Sequence, residues 1–214
     1  MSERMVHFFD EPGERNTDDV IAAVVRRAKE GGIGAVVVAS ISGKTAVKTA
    51  EVLETAKLSV PVVCVTGSES WKKYPQYRFP LIQRRERNAL RRLGARIVDK
   101  VDEPFRSLMF RDWWEEETRE VKHPDSNLFW MSMICVGGHG FRTAIEVVFM
   151  AVEAGALRVG QRVVSAAGTN RGLDSAIVLR ACRFDDAVGR STSKRLKVEE
   201  ILAMPKKTTW RGYG

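Results

Sequence analysis

The chain has 214 residues, 44% hydrophobic and 29% charged, which is enough apolar material for one sizeable core. Its formal net charge is +8, from 35 Lys and Arg against 27 Asp and Glu. No window approaches the ~18 apolar residues of a membrane span, and Met1-Ser2-Glu3-Arg4-Met5 has no apolar signal region. A cytoplasmic location without membrane insertion is therefore expected.

In chain order, Met5–Phe9 is a short apolar run. Asn16 or Thr17 then offers a helix cap, and Asp18 and Asp19 occupy the first turn, where the helix dipole favours acids. Val20, Ile21, Val24, Val25 and Ala28 follow at helical spacing, and Gly31-Gly32 ends that helix. Ala35–Ala39 is a β-branched run bounded by Gly and Ser and predicts a buried strand. Residues 44–57 predict a helix and Val60–Val65 the next strand, with Pro61 near its start.

Residues 67–80, with Trp71, Tyr74, Pro75, Tyr77 and Pro80, predict a loop. Residues 81–93 predict a helix with Ile82, Ala89, Leu90 and Leu93 on one face, and Ala95–Val98 a third buried strand. Residues 101–136 break the rhythm. They are acidic (Glu115, Glu116, Glu117, Glu120) and aromatic (Phe105, Phe110, Trp113, Trp114, Phe129, Trp130). Residues 141–154 predict a helix apolar nearly all round, buried between layers or at a subunit contact. Arg162–Ala166 and Ala176–Leu179 read as the last strands. The tail from Lys194 to Gly214 carries a short amphipathic piece (Val198, Ile201, Leu202) and an end expected to fray.

This alternation implies parallel βαβ units. The expectation is a single α/β domain over 1–214, a three-layer αβα sandwich with an irregular insertion at about 101–130. Cys64, Cys135 and Cys182 are far apart, odd in number and distant from His at metal spacing. A disulfide framework and a metal site are not expected, and buried thiols in a reducing compartment are.

The charge surplus is local. Residues 71–100 hold ten Lys or Arg against Glu86 and Asp99, which equals the surplus of the whole chain. Basic residues interleaved with Trp71, Tyr74, Tyr77 and Phe79 over 71–92 raise a nucleic-acid reading. The chain carries no recognisable nucleic-acid motif, so a small anion and a subunit contact with the acidic 112–120 segment are preferred. The apolar helix and the aromatics favour a homo-oligomer.

Ligands of open parallel sheets bind outside the carboxyl ends of the strands. Three Gly/Ser/Thr-rich loops leave such ends: Ser40-Ile41-Ser42-Gly43-Lys44-Thr45-Ala46, Thr66-Gly67-Ser68 and Gly168-Thr169-Asn170-Arg171-Gly172. The first also opens a helix, whose free N–H groups attract anions. Lys44 adds a charge, and Ser42 and Thr45 add donors. The alternative is a capped strand–helix turn without a ligand. A P-loop is excluded, because Val38 stands where that motif needs glycine. Gly138-His139-Gly140 is not a dinucleotide fingerprint, because Thr143 holds the third glycine position.

The stretch VVVASISGKTAVKTAEVL…VPVVCVT resembles the C-terminal α/β domain of pyruvate kinase, and RVVSAAGTNRGLDSAIVLRA resembles that domain's late Gly-rich loop. The chain is most similar to the free-standing pyruvate kinase C-terminal-like proteins. It shares Glu11-Pro12-Gly13…Asn16-Thr17, Gly138-His139-Gly140 before an apolar helix, and the ending Ile201-Leu202-Ala203-Met204-Pro205. The likeness covers most of the chain except 101–130. It implies a mostly parallel mixed sheet in which the last or an edge strand is antiparallel. It also implies a phosphate held by Ser40, Ser42, Gly43, Lys44 and Thr45, with Thr66 and Gly67 beside it. The rest of the ligand would lie along Gly138, His139, Gly140 and the 168–172 loop. Flavin mononucleotide is the ligand the resemblance suggests. A sugar-phosphate or nucleotide effector module without turnover is the alternative. No barrel domain fits in the chain, so pyruvate kinase chemistry is not expected.

Among single residues, His139 is either a general acid/base or a locally bonded histidine at a helix start. Glu146 is either a buried carboxylate or the partner of Arg142 four residues earlier. Asp174 either meets a sugar or ribityl hydroxyl or stabilises its own turn. No catalytic triad or carboxylate dyad stands out, so no catalytic residue is assigned.

Overall fold

The computed structural model describes residues 4–67, 69–73, 75–101, 124–187, 191 and 193–207. The elements in order are β1 (His7–Phe9), α1 (Thr17–Lys29), β2 (Ala35–Ala39), α2 (Lys44–Thr55), β3 (Val62–Val65), α3 (Arg84–Arg92) and β4 (Arg96–Val98). They continue with α4 (Pro124–Glu153), β5 (Arg162–Ala167), β6 (Ser175–Arg180), α5 (Phe184–Ala187) and β7 (Lys197–Pro205). Short 3-10 turns cover Glu14–Asn16 and Glu69–Lys73.

Among the described residues, seven strands form one sheet in the order β1-β7-β6-β5-β2-β3-β4. Six run parallel, and β6 alone is antiparallel to both of its neighbours. The mostly parallel mixed sheet agrees with the resemblance. Its antiparallel strand lies inside the sheet, because β7 and β1 continue the pairing beyond it.

Alternating side chains face opposite layers. Val37, Val63, Val65, Val163, Ile177 and Leu179 share a core with α4. Val36, Val38, Cys64, Val164, Ala166 and Val178 share another with α1, α2 and Leu90 of α3. Burial on both faces explains why these strands are near-continuous Val/Ala runs.

α4 is broken at Gly138, which has φ 77° and ψ −173°. Beyond the break, Ala144, Ile145, Val148, Phe149 and Ala151 are fully buried. The all-apolar helix is thus covered within one chain, and Ser165 Oγ donates to the Ala144 carbonyl at 2.6 Å to tie it to β5. Phe129–Glu153 is long and apolar enough to cross a membrane by length and composition, contrary to the window reading of the sequence, but it is mostly buried against the sheet.

Four expectations need correction. The piece read as amphipathic (Val198, Ile201, Leu202) is part of β7, an inner strand over Lys197–Pro205. Register shifts against β6 at Ala176/Ile177 and Val178/Leu179 break its alternation. The residues from Pro124 on, expected to be irregular as far as 130 or 136, are helical, since α4 starts there. Asn16 holds the N-cap position of α1, but neither its side chain nor that of Thr17 caps the helix: Asn16 Nδ2 donates to the Glu11 carbonyl and Thr17 Oγ1 to the Glu14 carbonyl. Cys64 and Cys182 are buried, but Cys135 is exposed. Ser68, Tyr74, the acidic and aromatic residues of 102–123, and the chain end from 208 lie outside the described residues.

Candidate functional site

The carboxyl ends of β1, β2, β3, β4, β5 and β7 share one edge of the sheet with the start of β6. From β2 the chain winds outward to β3 and β4. It then crosses back through α4 to β5, on the other side of β2, and continues to β6 and β7. The strand order therefore reverses between β2 and β5. Open α/β sheets bind ligands outside the carboxyl ends of their strands at such a reversal. The loop after β2 holds residues 40–43, and the loop after β5 holds residues 168–174.

The β2 loop is built to open a helix. Gly43 has φ 81°, in the left-handed region, and the first α2 residue is Lys44. A Cβ on Gly43 would meet Ile82 Cγ2 at 3.1 Å and Glu86 Cβ at 3.3 Å, so the start of α3 packs directly on this turn. Ser40 is buried, and its Oγ accepts the Ala46 N–H at a long 3.4 Å. The Val47 N–H bonds the Gly43 carbonyl at 2.9 Å. The N–H groups of Lys44 and Thr45 have no acceptor among the described residues. Ser42 and Lys44 are exposed beside them and Thr45 is half-buried. This half offers free donors and one cation.

The β3 end braces that loop. Thr66 is buried, and its Oγ1 donates to the Ile41 carbonyl at 2.7 Å. Gly67 serves a packing need. A Cβ there would lie 2.6 Å from Cδ2 and Cε3 of Trp71, whose ring stacks with Tyr77 at 4.6 Å between centroids. The space over the Gly67 Cα is filled by indole. Cys64 beneath the loop has its thiol pushed up to about 12 by burial, so it stays a protonated core residue.

The β5 end is locked from within. Asp174 is fully buried. Its Oδ2 accepts the Gly13 N–H at 3.0 Å and the Thr169 N–H at 2.9 Å, and its Oδ1 accepts the Ser175 hydroxyl at 2.9 Å. The geometry therefore carries the turn-stabilising role of Asp174. Thr17 Oγ1 accepts the Leu173 N–H at 3.0 Å, and a Cβ on Gly172, with φ 68°, would meet that oxygen at 2.3 Å. A Cβ on Gly168 would meet the Gly172 carbonyl at 2.4 Å. Thr169 is half-buried, while Asn170 and Arg171 at the tip are exposed.

Gly138, His139 and Gly140 form the break in α4 and reach the same edge. A Cβ on Gly140 would lie 2.0 Å from Asp174 Oδ1. His139 is half-buried. Burial and the Arg142 guanidinium push its imidazole below 6.5, and Asp174 pulls partly the other way, so at neutral pH the ring is uncharged. Arg142 Nη1 lies 3.3 Å from Glu146 Oε2, the intrahelical pair read as the simpler alternative. Burial pushes the Glu146 carboxyl up against the pull of Arg142.

The predicted residues thus gather at one edge in two halves. Ser40, Ser42, Gly43, Lys44, Thr45, Thr66 and Gly67 lie after β2 and β3. Gly138, His139, Gly140, Gly168, Thr169, Asn170, Arg171, Gly172 and Asp174 lie after β5 and in the α4 break. Two residues missing from the predicted set, Gly13 and Thr17, hold the second half together. Their signal was the Glu11-Pro12-Gly13…Asn16-Thr17 motif, which carried no chemistry of its own. Among the described residues no cluster of His, Cys, Asp and Glu suits a metal ion.

A family model described as "Pyruvate kinase, alpha/beta domain" matches residues 18–179. The match runs from the first turn of α1 into β6 and includes both loop sets.

Proposed function

The chain belongs to the pyruvate kinase alpha/beta-domain family, and from that premise we propose that it binds a phosphate-bearing small molecule at the carboxyl edge of its sheet, with flavin mononucleotide as the candidate ligand. The observation that carries this reading is the start of α2, where the Lys44 and Thr45 N–H groups, the Ser42 hydroxyl and the Lys44 ammonium stand together without internal partners among the described residues. A helix N-terminus with a free cation suits a phosphate. The remainder of a flavin nucleotide would run toward the β5 end, where Asn170 and Arg171 are exposed and His139 is half-buried. Bound flavin supplies redox chemistry of its own, and the chain's part is binding and orientation. No catalytic residue is assigned.

The test is a titration of the purified apo protein with flavin mononucleotide and, separately, riboflavin, read by flavin fluorescence and thermal shift. Ligand at a hundred times its dissociation constant stabilises by about 2.7 kcal/mol. Flavin mononucleotide should bind and riboflavin should bind far more weakly. Lys44→Ala should weaken the nucleotide at least ~10-fold, about 1.4 kcal/mol, and leave the unliganded melting temperature unchanged. Unaltered fluorescence and melting with both flavins refutes the flavin assignment. A shift with phosphorylated sugars or nucleotides instead selects the effector module. Unchanged affinity in Lys44→Ala refutes the cradle.

A further inference from the structure

We propose that the outer face of α3 is a binding surface for the phosphodiester backbone of single-stranded nucleic acid, read by charge and without base specificity. α3 spans Arg84–Arg92 and carries Arg84, Arg85, Arg87, Arg91 and Arg92 against a single acid, Glu86. Arg87 is used internally: its Nη2 meets Asp99 Oδ2 at 2.6 Å, tying the helix to the end of β4. Arg84, Arg85, Arg91 and Arg92 are exposed and have no carboxylate partner among the described residues. Residues seven apart lie on nearly the same azimuth of a helix, about 10 Å apart along its axis. Arg84 therefore stands above Arg91, and Arg85 above Arg92.

The placement of Arg84 and Arg85 works against the isolated helix, whereas Arg91 and Arg92 in its last turn suit the dipole. The first turn of a helix favours acids. α1 follows that rule with Asp18 and Asp19 in its first turn and Arg26, Arg27 and Lys29 in its last. α3 instead begins with two arginines. Glu86 in the same turn offsets only one of the two charges, and an unfavourable local choice of this kind is expected where a side chain serves something outside the fold. An anion laid across that turn reverses its sign. A small phosphorylated molecule at the Gly43 turn touches at most the first turn of α3, whereas Arg91 and Arg92 lie two turns further on. The matching partner is therefore an extended polyanion. Guanidinium groups suit phosphate oxygens because their donors are paired and planar.

The rest of the stretch agrees. Lys72, Lys73 and Arg78 are exposed just before α3, and Lys100 just after β4. The half-buried Trp71–Tyr77 pair lies in the same segment and offers an aromatic surface to an unpaired base. The sequence argued against nucleic acid for want of a recognised motif, but charge-driven binding to a backbone requires none.

The experiment is fluorescence anisotropy of the full chain with a labelled twenty-nucleotide oligothymidylate at 50 and 200 mM salt. Binding through the four arginines should weaken by roughly 50-fold between those salts, from a slope of about −0.7 per phosphate contact. The variant R84A/R85A/R91A/R92A should lose most of the affinity at 50 mM and most of the slope. Its thermal unfolding should match or exceed that of the wild type, which separates lost binding from lost folding. The control K29A/K197A, at exposed cations near α1 and β7, should bind as the wild type does. The proposal is overturned if the oligonucleotide does not bind at 50 mM, if the quadruple variant binds as the wild type does, or if poly-glutamate at equal charge displaces it equally well. The last result would assign the face to an acidic protein.

Discussion

Gly140→Ala is a sharp test of how the β5 half of the edge is held. In a helix, replacing Gly by Ala ordinarily stabilises by about 0.5–1 kcal/mol. Here the new methyl would lie 2.0 Å from Asp174 Oδ1 and 2.6 Å from Ser175 Oγ. The carboxylate cannot retreat without losing the Gly13 N–H, the Thr169 N–H or the Ser175 hydroxyl. A hydrogen bond to a charged group contributes about 1.5–3 kcal/mol, and overpacking a filled site costs about 1–3 kcal/mol. A net loss of about 3 kcal/mol is expected, a fall in melting temperature of about 10 °C at 2–4 °C per kcal/mol. Urea and thermal denaturation followed by circular dichroism measure it.

The partner variant makes the reasoning refutable. Asp174→Ala strands the three donors, of which the Gly13 and Thr169 N–H groups belong to half-buried residues that water can reach. Its cost is also about 3 kcal/mol. In the double variant the methyl enters space the carboxylate has vacated, so the loss should stay near that of Asp174→Ala alone. The coupling should be about 3 kcal/mol. A neutral or stabilising Gly140→Ala, or fully additive losses, would refute the close contact as the cause.

Two predictions concern the opposite end of the sheet. Arg27 is 3% exposed, and its Nε and Nη2 bond both carboxylate oxygens of Glu200, at 2.8 and 3.1 Å. Glu200→Ala leaves the buried Arg27 guanidinium with only the half-exposed Glu30 carboxylate, at 3.8 Å, and should cost about 3 kcal/mol in urea denaturation. Glu30→Ala, at the exposed partner of Arg4 and Arg27, should cost under about 1 kcal/mol. Burial pushes the Glu199 carboxyl up, but the hydrogen bonds and charges of Arg162 and Arg180 outweigh it and leave it below its ordinary 4.5. Glu199 therefore binds protons less readily in the folded chain than in the unfolded one, and its stabilisation is present above pH 4.5 and lost as pH falls through the lowered value. Melting curves of Glu199→Gln should lie below wild type at pH 7 and converge with it at strongly acidic pH. A constant gap across that range would refute the linkage.

What was legible in the sequence follows from which interactions are local. β2 was readable to the residue, because AVVVA is buried on both faces and bounded by Gly and Ser. β3 fell within a few residues of its observed limits for the same reason, and α1 and α2 did so because their apolar residues recur at helical spacing. β7 was not readable. Lys197, Glu199 and Glu200 look like a solvated segment. The charges of Glu199 and Glu200 are in fact matched by Arg162, Arg180 and Arg27 from distant parts of the chain. The shift beside Glu199 also lets two consecutive glutamates serve Arg162, at 2.5 and 2.8 Å. No periodicity rule detects a strand whose alternation is broken by a bulge and whose charges are paired across the sheet. The loops of the site were legible as composition. The distinction between an open loop and a closed one was not, since it depends on Gly13 and Thr17 more than a hundred residues from Asp174.

That distinction bears on how the edge works. Both loops sit at the reversal of strand order, and both are rich in Gly, Ser and Thr, yet they spend their donors differently. After β5, the Thr169 and Leu173 N–H groups are taken up by Asp174 and Thr17, and three glycines make the close approaches that allow it. After β2, the turn at Gly43 leaves the Lys44 and Thr45 N–H groups outward without an acceptor among the described residues. Unpaired donors cost least where water or an anion reaches them, and Ser42 and Lys44 beside them are exposed. The β5 half of the edge is thus ordered by the chain itself, which would spare a bound ligand that cost. The β2 half leaves these donors to water or to the anion proposed above. The two predictions separate accordingly: Gly140→Ala should damage stability first, and Lys44→Ala should damage ligand affinity with stability intact.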